Sequence, residues 1–188
     1  MARPRNDDKR SAIMDAAVHM INKQGLSAPT AAIAKEAGVA NGSLFTYFET
    51  KTDLFNQLYL ELKTEMASAA SEGLPVDANV REQFFQAWTN WMRWAVRNPE
   101  KRRALAQLAV SDEITAATHA LGHQTMLRIA ALMEQVRVRG SMREVPFPFV
   151  ASIMNSLAEA TMDFMVRDQT KADLHSKAGF DALWRMLG

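Results

Sequence analysis

The chain contains no cysteine, which removes disulfides, thiol nucleophiles and cysteine-ligated zinc together. It has no long apolar run either: nothing approaches the ~20 residues that span a bilayer as a helix. The opening Met1-Ala2-Arg3-Pro4-Arg5-Asn6-Asp7-Asp8 is charged where a secretory leader would be apolar, so the sequence reads as cytoplasmic, with no membrane partner. An excess of one charge is also missing. Lys and Arg total 22 against 21 Asp and Glu, and net charge alone announces no polyanionic partner. Residues 1–51 hold seven basic and five acidic side chains, the remainder fifteen and sixteen, a slight basic lean at one end. No nucleophile–base pair, phosphate loop or metal-ligand set stands out, so an enzyme, a cofactor and a metal are not expected. His119 and His123 are four apart, but no acidic residue follows His119 and the HExxH pattern is absent; the pair reads as surface or pocket rim. What is present is the composition of an ordinary globular protein of 188 residues, 48% hydrophobic and 23% charged.

The apolar residues recur at three and four throughout, without a sustained alternation of period two, which predicts an all-α protein of about nine helices. A first helix is expected over roughly 7–24, burying Ile13, Ala16, Ala17, Met20 and Ile21 and stopped by Gly25. A short one follows near 29–37, with Pro29 at its first position, Ser27 as the nearest capping residue and Gly38 at its end. A third covers about 41–47, with Leu44 and Phe48 facing inward. A fourth, capped by Thr50, runs from Lys51 towards Gly73. After the Gly73-Leu74-Pro75 break come helices over 78–97 (capped by Asp77), 99–109 (capped by Asn98), 111–139, 148–168 and from Ser176 or Lys177 to Leu187. The reading is a small N-terminal domain followed by a larger helical bundle.

Two short helices joined by a tight glycine-containing turn and backed by a longer one form a helix-turn-helix. The second short helix must be slim and polar outside to enter a major groove ~12 Å wide. Residues 40–48 fit: Leu44 and Phe48 anchor one face, while Asn41, Ser43, Thr46 and Tyr47 offer hydrogen-bonding groups on the other. Lys51 begins the next helix, where an ammonium and free backbone N–H groups can hold a phosphate. Arg3, Arg5, Lys9 and Arg10 read either as an arm tracking phosphates or as a solvated terminus.

The run Ala34-Lys35-Glu36-Ala37-Gly38-Val39, followed by Gly42-Ser43-Leu44-Phe45-Thr46-Tyr47-Phe48-Glu49-Thr50-Lys51 and Leu54, resembles the DNA-binding signature of the tetracycline-repressor (TetR) family. So does Arg10-Ser11-Ala12-Ile13, with Ala16, Ala17 and Gly25 beyond it. The likeness covers about residues 9–60. It implies a homodimeric repressor of a palindromic double-stranded operator, released when a small molecule in the larger domain changes the spacing of the two reading heads. Carried onto this sequence, it implies DNA contacts at Thr30, Ala31, Asn41, Gly42, Ser43, Phe45, Thr46, Tyr47 and Lys51. Two positions depart from the pattern. Ala40 stands where a capping Ser or Thr is common, and Phe45 where Tyr is usual, so a hydroxyl contact to phosphate is lost there.

Downstream, aromatic residues crowd the fifth helix. They read as ordinary core or as the wall of an effector cavity formed by Trp88, Trp91, Met92, Met126, Ile129, Met133, Phe147, Met154 and Thr161, with flexible thioethers suiting an adaptable, hydrophobic site. The eighth and ninth helices are apolar over wide arcs. Ala151, Asn155, Ala158, Met162, Phe180, Leu183, Trp184 and Leu187 are therefore expected at a four-helix homodimer interface. The domain reading is 1–50 for a helix-turn-helix DNA reader and 51–188 for ligand binding and dimerisation. The alternative function is a dimeric small-molecule-binding module without specific operator recognition.

Overall fold

The computed structural model describes residues 4–75 and 77–188, with the side chains of 4–6 left aside. Ten α-helices and no strand occur among them, one helix more than the sequence predicts. Arg3 lies outside the described residues, as does the side chain of Arg5. Lys9 and Arg10 fall within α1 (Pro4–Gln24). None of the described helices is long and apolar enough to cross a membrane.

The chain divides into two compact units, one of residues up to 64 with 99–123, the other of 65–98 with 124–188. In the first, α1 ends at Gly25, whose φ of 72° suits a residue without a Cβ. A 3₁₀ turn, Gly25–Ser27, leads to α2 (Thr30–Glu36), then α3 (Asn41–Tyr47) and α4 (Lys51–Ser71). Pro29 occupies the cap position of α2 with extended dihedrals, and Ser27 does not cap it: its hydroxyl donates to the Gln24 carbonyl. Thr50 does cap α4, its Oγ1 accepting from the Asp53 amide at 3.0 Å while the Asp53 carboxylate accepts from the Glu49 amide. Ile13, Ala17 and Ile21 of α1, Ile33 of α2, Leu44 of α3, Phe48, and Leu54 and Phe55 of α4 are fully buried. α6 (Pro99–Ala109) packs on α1, contributing Ala104 and Leu108 to this core.

In the second unit, α5 (Val80–Arg97) begins at Asn79, not Asp77: the Asn79 Oδ1 accepts from the Glu82 amide at 3.0 Å. At its other end the Asn98 amide turns back onto the Trp94 carbonyl rather than forward onto α6. α5 packs against α8 (Leu127–Arg137), α9 (Phe147–Arg167) and α10 (Ala172–Leu187). α10 starts four residues before the predicted Ser176, preceded by a 3₁₀ turn at Gln169–Lys171.

The single helix expected over 111–139 is two. Thr115 caps α7 (Ala116–Gln124) through its hydroxyl, which accepts from the Thr118 amide at 3.1 Å. The chain turns at Thr125 and Met126 before α8. Residues up to His123 belong to the first unit and those from Gln124 to the second, so the two halves of this stretch bury against different cores.

Candidate nucleic-acid interface

α2 and α3 are each seven residues long and are joined by Ala37–Ala40, with Gly38 at φ 68° making the turn. Leu44 and Phe48, both 0% exposed, hold α3 from behind. Its outer side presents Asn41, Gly42, Phe45 and Thr46 to solvent, with Ser43 and Tyr47 half-buried beside them. Phe45, at 45% exposure, is a large apolar group displayed on a mostly polar ridge. Ala31 on α2 is exposed and Thr30 half-buried.

The start of α3 has no side-chain cap: Ala40 supplies none, and the Asn41 side chain does not substitute. The carbonyl of Ala40 instead receives the amides of Ser43 and Leu44. Gly42 has open space where a Cβ would be, so a flat ligand surface can approach its backbone closely. Lys51 is half-buried rather than extended. Its Nζ donates to the Leu26 carbonyl at 2.6 Å and stands 5.2 Å above the centre of the Phe55 ring. The ammonium thereby fixes α4 to the linker before α2, and it retains two further N–H bonds for an anion.

A polar ladder backs the same site. The Arg10 guanidinium lies over the Phe48 ring, pairs with Glu61 at 3.0 Å and donates to the Gln57 side-chain carbonyl. Gln57 in turn donates to Asp53. Arg10, read from the sequence as part of either a phosphate-tracking arm or a solvated terminus, is thus engaged within the unit. Its partners 47 and 51 residues away leave no local sequence signal.

The predicted effector-site residues all fall in the second unit. Trp88, Met92, Ile129, Met133, Met154 and Thr161 are buried, while Trp91, Met126 and Phe147 are half-buried. Trp88 and Thr161 do come together. Both touch the position a Cβ on Gly179 would occupy, and the Trp88 indole donates to the Ser176 carbonyl at 2.9 Å. Trp91 meets Trp88 edge-on at 6.0 Å.

The residues assigned to a pairing face are distributed differently. Ala158, Met162, Phe180, Leu183 and Leu187 are 0–1% exposed within a single chain, which corrects their assignment to an outward surface. They form the seam between α9, α10 and α5. Ala151 and Trp184 are half-buried and Asn155 is exposed. The outward side of α9 also carries Phe149 and Phe164, 59% and 56% exposed.

Comparison with known proteins agrees with this geometry. Residues 13–58 match the pattern of "Bacterial regulatory proteins, tetR family". A tetR-family transcription regulator of Shewanella sp. PV-4 superimposes with a TM-score of 0.84 at 28% identity, over 95% of this chain and 97% of that one. Another, from Marinobacter aquaeolei, gives 0.81 at 24% identity over 97% and 96%. The nucleoid occlusion factor SlmA of Haemophilus influenzae is 23% identical over 96% of this chain and 84% of its own length. With a helix-turn-helix built as described, residues 13–58 carry the DNA-binding pattern of the tetR family, and the chain along its length resembles tetR-family transcription regulators.

Proposed function

We propose that the chain is a cytoplasmic, non-enzymatic repressor that binds a palindromic operator as a homodimer and is released by a small, hydrophobic effector. The observation that carries this reading is the exposed ridge of α3, polar apart from Phe45 and locked from behind by Leu44 and Phe48. One such helix makes few base contacts, so two-fold repetition over two half-sites supplies the specificity. Asn41, Ser43 and Thr46 read base edges. Thr30, Ala31, Gly42, Phe45, Tyr47 and Lys51 meet backbone, sugar or the thymine methyl. Trp88, Thr161 and their neighbours line the effector site in the second unit.

The test is operator binding by fluorescence anisotropy on a duplex selected from a random pool, repeated across salt concentrations. The affinity falls steeply as salt rises, because each neutralised phosphate releases counterions. Lys51→Ala weakens every sequence about equally, whereas Asn41→Ala relaxes base preference. A chain that selects no duplex, or whose binding is flat in salt, is instead a ligand-binding dimer without operator recognition. The uncapped start of α3 and the missing hydroxyl at Phe45 are what favour that second reading.

A further inference from the structure

Where the start of α5 meets α10, the second unit carries a hollow of about 350 Å³, open to solvent and lined by Arg81, Lys177, Asp181, Trp184 and Arg185. Its size is at the small end of the roughly 300–1,000 Å³ of small-molecule sites. Lys177, Asp181 and Arg185 follow at intervals of four along α10 and so share one of its faces. Trp184 lines the hollow from the same helix, and Arg81 reaches across from the first turn of α5.

The charges around this hollow do not balance: three cations face one carboxylate, a net charge of +2. Asp181 is shared between the Lys177 Nζ at 2.6 Å and an Arg81 guanidinium nitrogen at 3.2 Å, and both cations keep further N–H groups. Arg185 donates from its Nε to the Asp181 backbone carbonyl at 3.1 Å and pairs with no carboxylate among the described residues. Arg81 is held in place. Its guanidinium lies over the Phe180 and Trp184 rings, 5.8 and 5.6 Å from their centres, and those rings stack 6.0 Å apart with Phe180 buried. An arginine fork fixed before a ligand arrives loses less entropy on binding.

Two guanidiniums and an ammonium around one hollow suit the oxygens of a phosphate ester, which accept several charged hydrogen bonds at once. The half-buried Trp184 adds an apolar wall beside them. We propose that this rim binds a small organic phosphate, its phosphate held by Arg81, Lys177 and Arg185 and its organic body laid along Trp184. Asp181 spends one charge in orienting Arg81 and Lys177, and the remaining two receive the dianion. Neither Trp88 nor Thr161 lines the hollow, so this ligand is distinct from the hydrophobic effector proposed above, and its binding requires neither that effector nor an operator.

The test is calorimetric titration of the full chain with phenyl phosphate, inorganic phosphate and phenol. Phenyl phosphate binds more tightly than inorganic phosphate, because only the ester also meets Trp184. Arg185→Gln weakens phenyl phosphate by about ten- to a hundredfold, the worth of one charged hydrogen bond, and leaves any binding of phenol unchanged. Arg128→Gln, which removes an exposed arginine of α8 outside the hollow, leaves all three titrations unchanged. Arg185 and Arg128 are both exposed, so both variants keep the fold, checked by their melting. The proposal is overturned if phenyl phosphate fails to bind at millimolar concentration or binds no tighter than inorganic phosphate. Equal binding to Arg185→Gln overturns it as well, and so does an equal loss in Arg128→Gln, which would reduce the attraction to net charge.

Discussion

Gly179 of the second unit has no room for one more methyl group. A Cβ there would stand 2.4 Å from the Thr161 Oγ1 and 3.0 Å from the Trp88 ring. Neither neighbour is free to retreat, since the Trp88 indole is bonded to the Ser176 carbonyl and the Thr161 hydroxyl to the Leu157 carbonyl at 2.7 Å. Gly179→Ala should therefore destabilise by about 1–3 kcal/mol through overpacking, read as a lower urea midpoint with an unchanged slope. Gly42 is the contrasting case: nothing lies within 4 Å of its missing Cβ and its φ is not positive. Gly42→Ala should raise stability by up to about 1 kcal/mol through helix propensity, while lowering operator affinity if DNA approaches that backbone. Equal or better DNA binding by Gly42→Ala would exclude a close approach there.

At the scale of elements, α5 and α10 are joined at their rims by one aspartate serving several cations. Asp181 lies 2.6 Å from the Lys177 Nζ and 3.2 Å from an Arg81 guanidinium nitrogen. Arg81 also lies over the Phe180 and Trp184 rings. The Lys177 hydrogen bond chiefly holds the Asp181 carboxyl below its ordinary value. Its folded-state pKa is depressed, so the stabilisation exists above the unfolded value and is lost as pH falls through the folded one. Asp181→Asn should melt below the wild type at neutral pH, and the difference should vanish well below the ordinary value of 3.8. A gap that persisted in acid would assign the loss to packing instead.

The same scale explains what the sequence could disclose. α2 and α3 are legible because their anchors are close in sequence and their ends are marked: Ile33 and Ala34 inside, Gly38 in the turn, Leu44 and Phe48 four apart. The break between α7 and α8 is illegible for an equally physical reason. Gly122 and Ile129 are both buried and seven residues apart, which on an unbroken helix is nearly one face. The pattern passes through the break without a phase error. α7 also buries Thr118 and Gly122 rather than large apolar side chains, so its own stripe is faint. On α9 and α10 the wide apolar arc is real, but Ala158, Met162, Phe180, Leu183 and Leu187, assigned to a partner copy, are covered within the chain. Periodicity reports that a face is buried, not which element buries it. The Tyr59–His119 contact is equally hidden, since it joins residues 60 apart with no motif.

For the whole molecule, the burial of Phe180, Leu183 and Leu187 changes where pairing must be tested. Substituting those core residues would unfold the protein and say nothing about association. The exposed side of α9 is the informative place, and Asn155 is the one residue assigned to the pairing face that is fully exposed there. Ordinary exposed positions tolerate an arginine at a cost within about 0.5 kcal/mol, so Asn155→Arg should melt like the wild type. If two copies pair across this face, the substitution sets two like charges near the symmetry axis, in a surface that would otherwise exclude water. Sedimentation velocity should then show a dimer for the wild type and a monomer for Asn155→Arg. Operator affinity should fall by far more than a factor of two, because each half-site would have to hold its reader unaided. A variant that stays dimeric and binds DNA undiminished would move the pairing surface off α9. A wild type that is monomeric yet protects both half-sites would remove the need for pairing altogether.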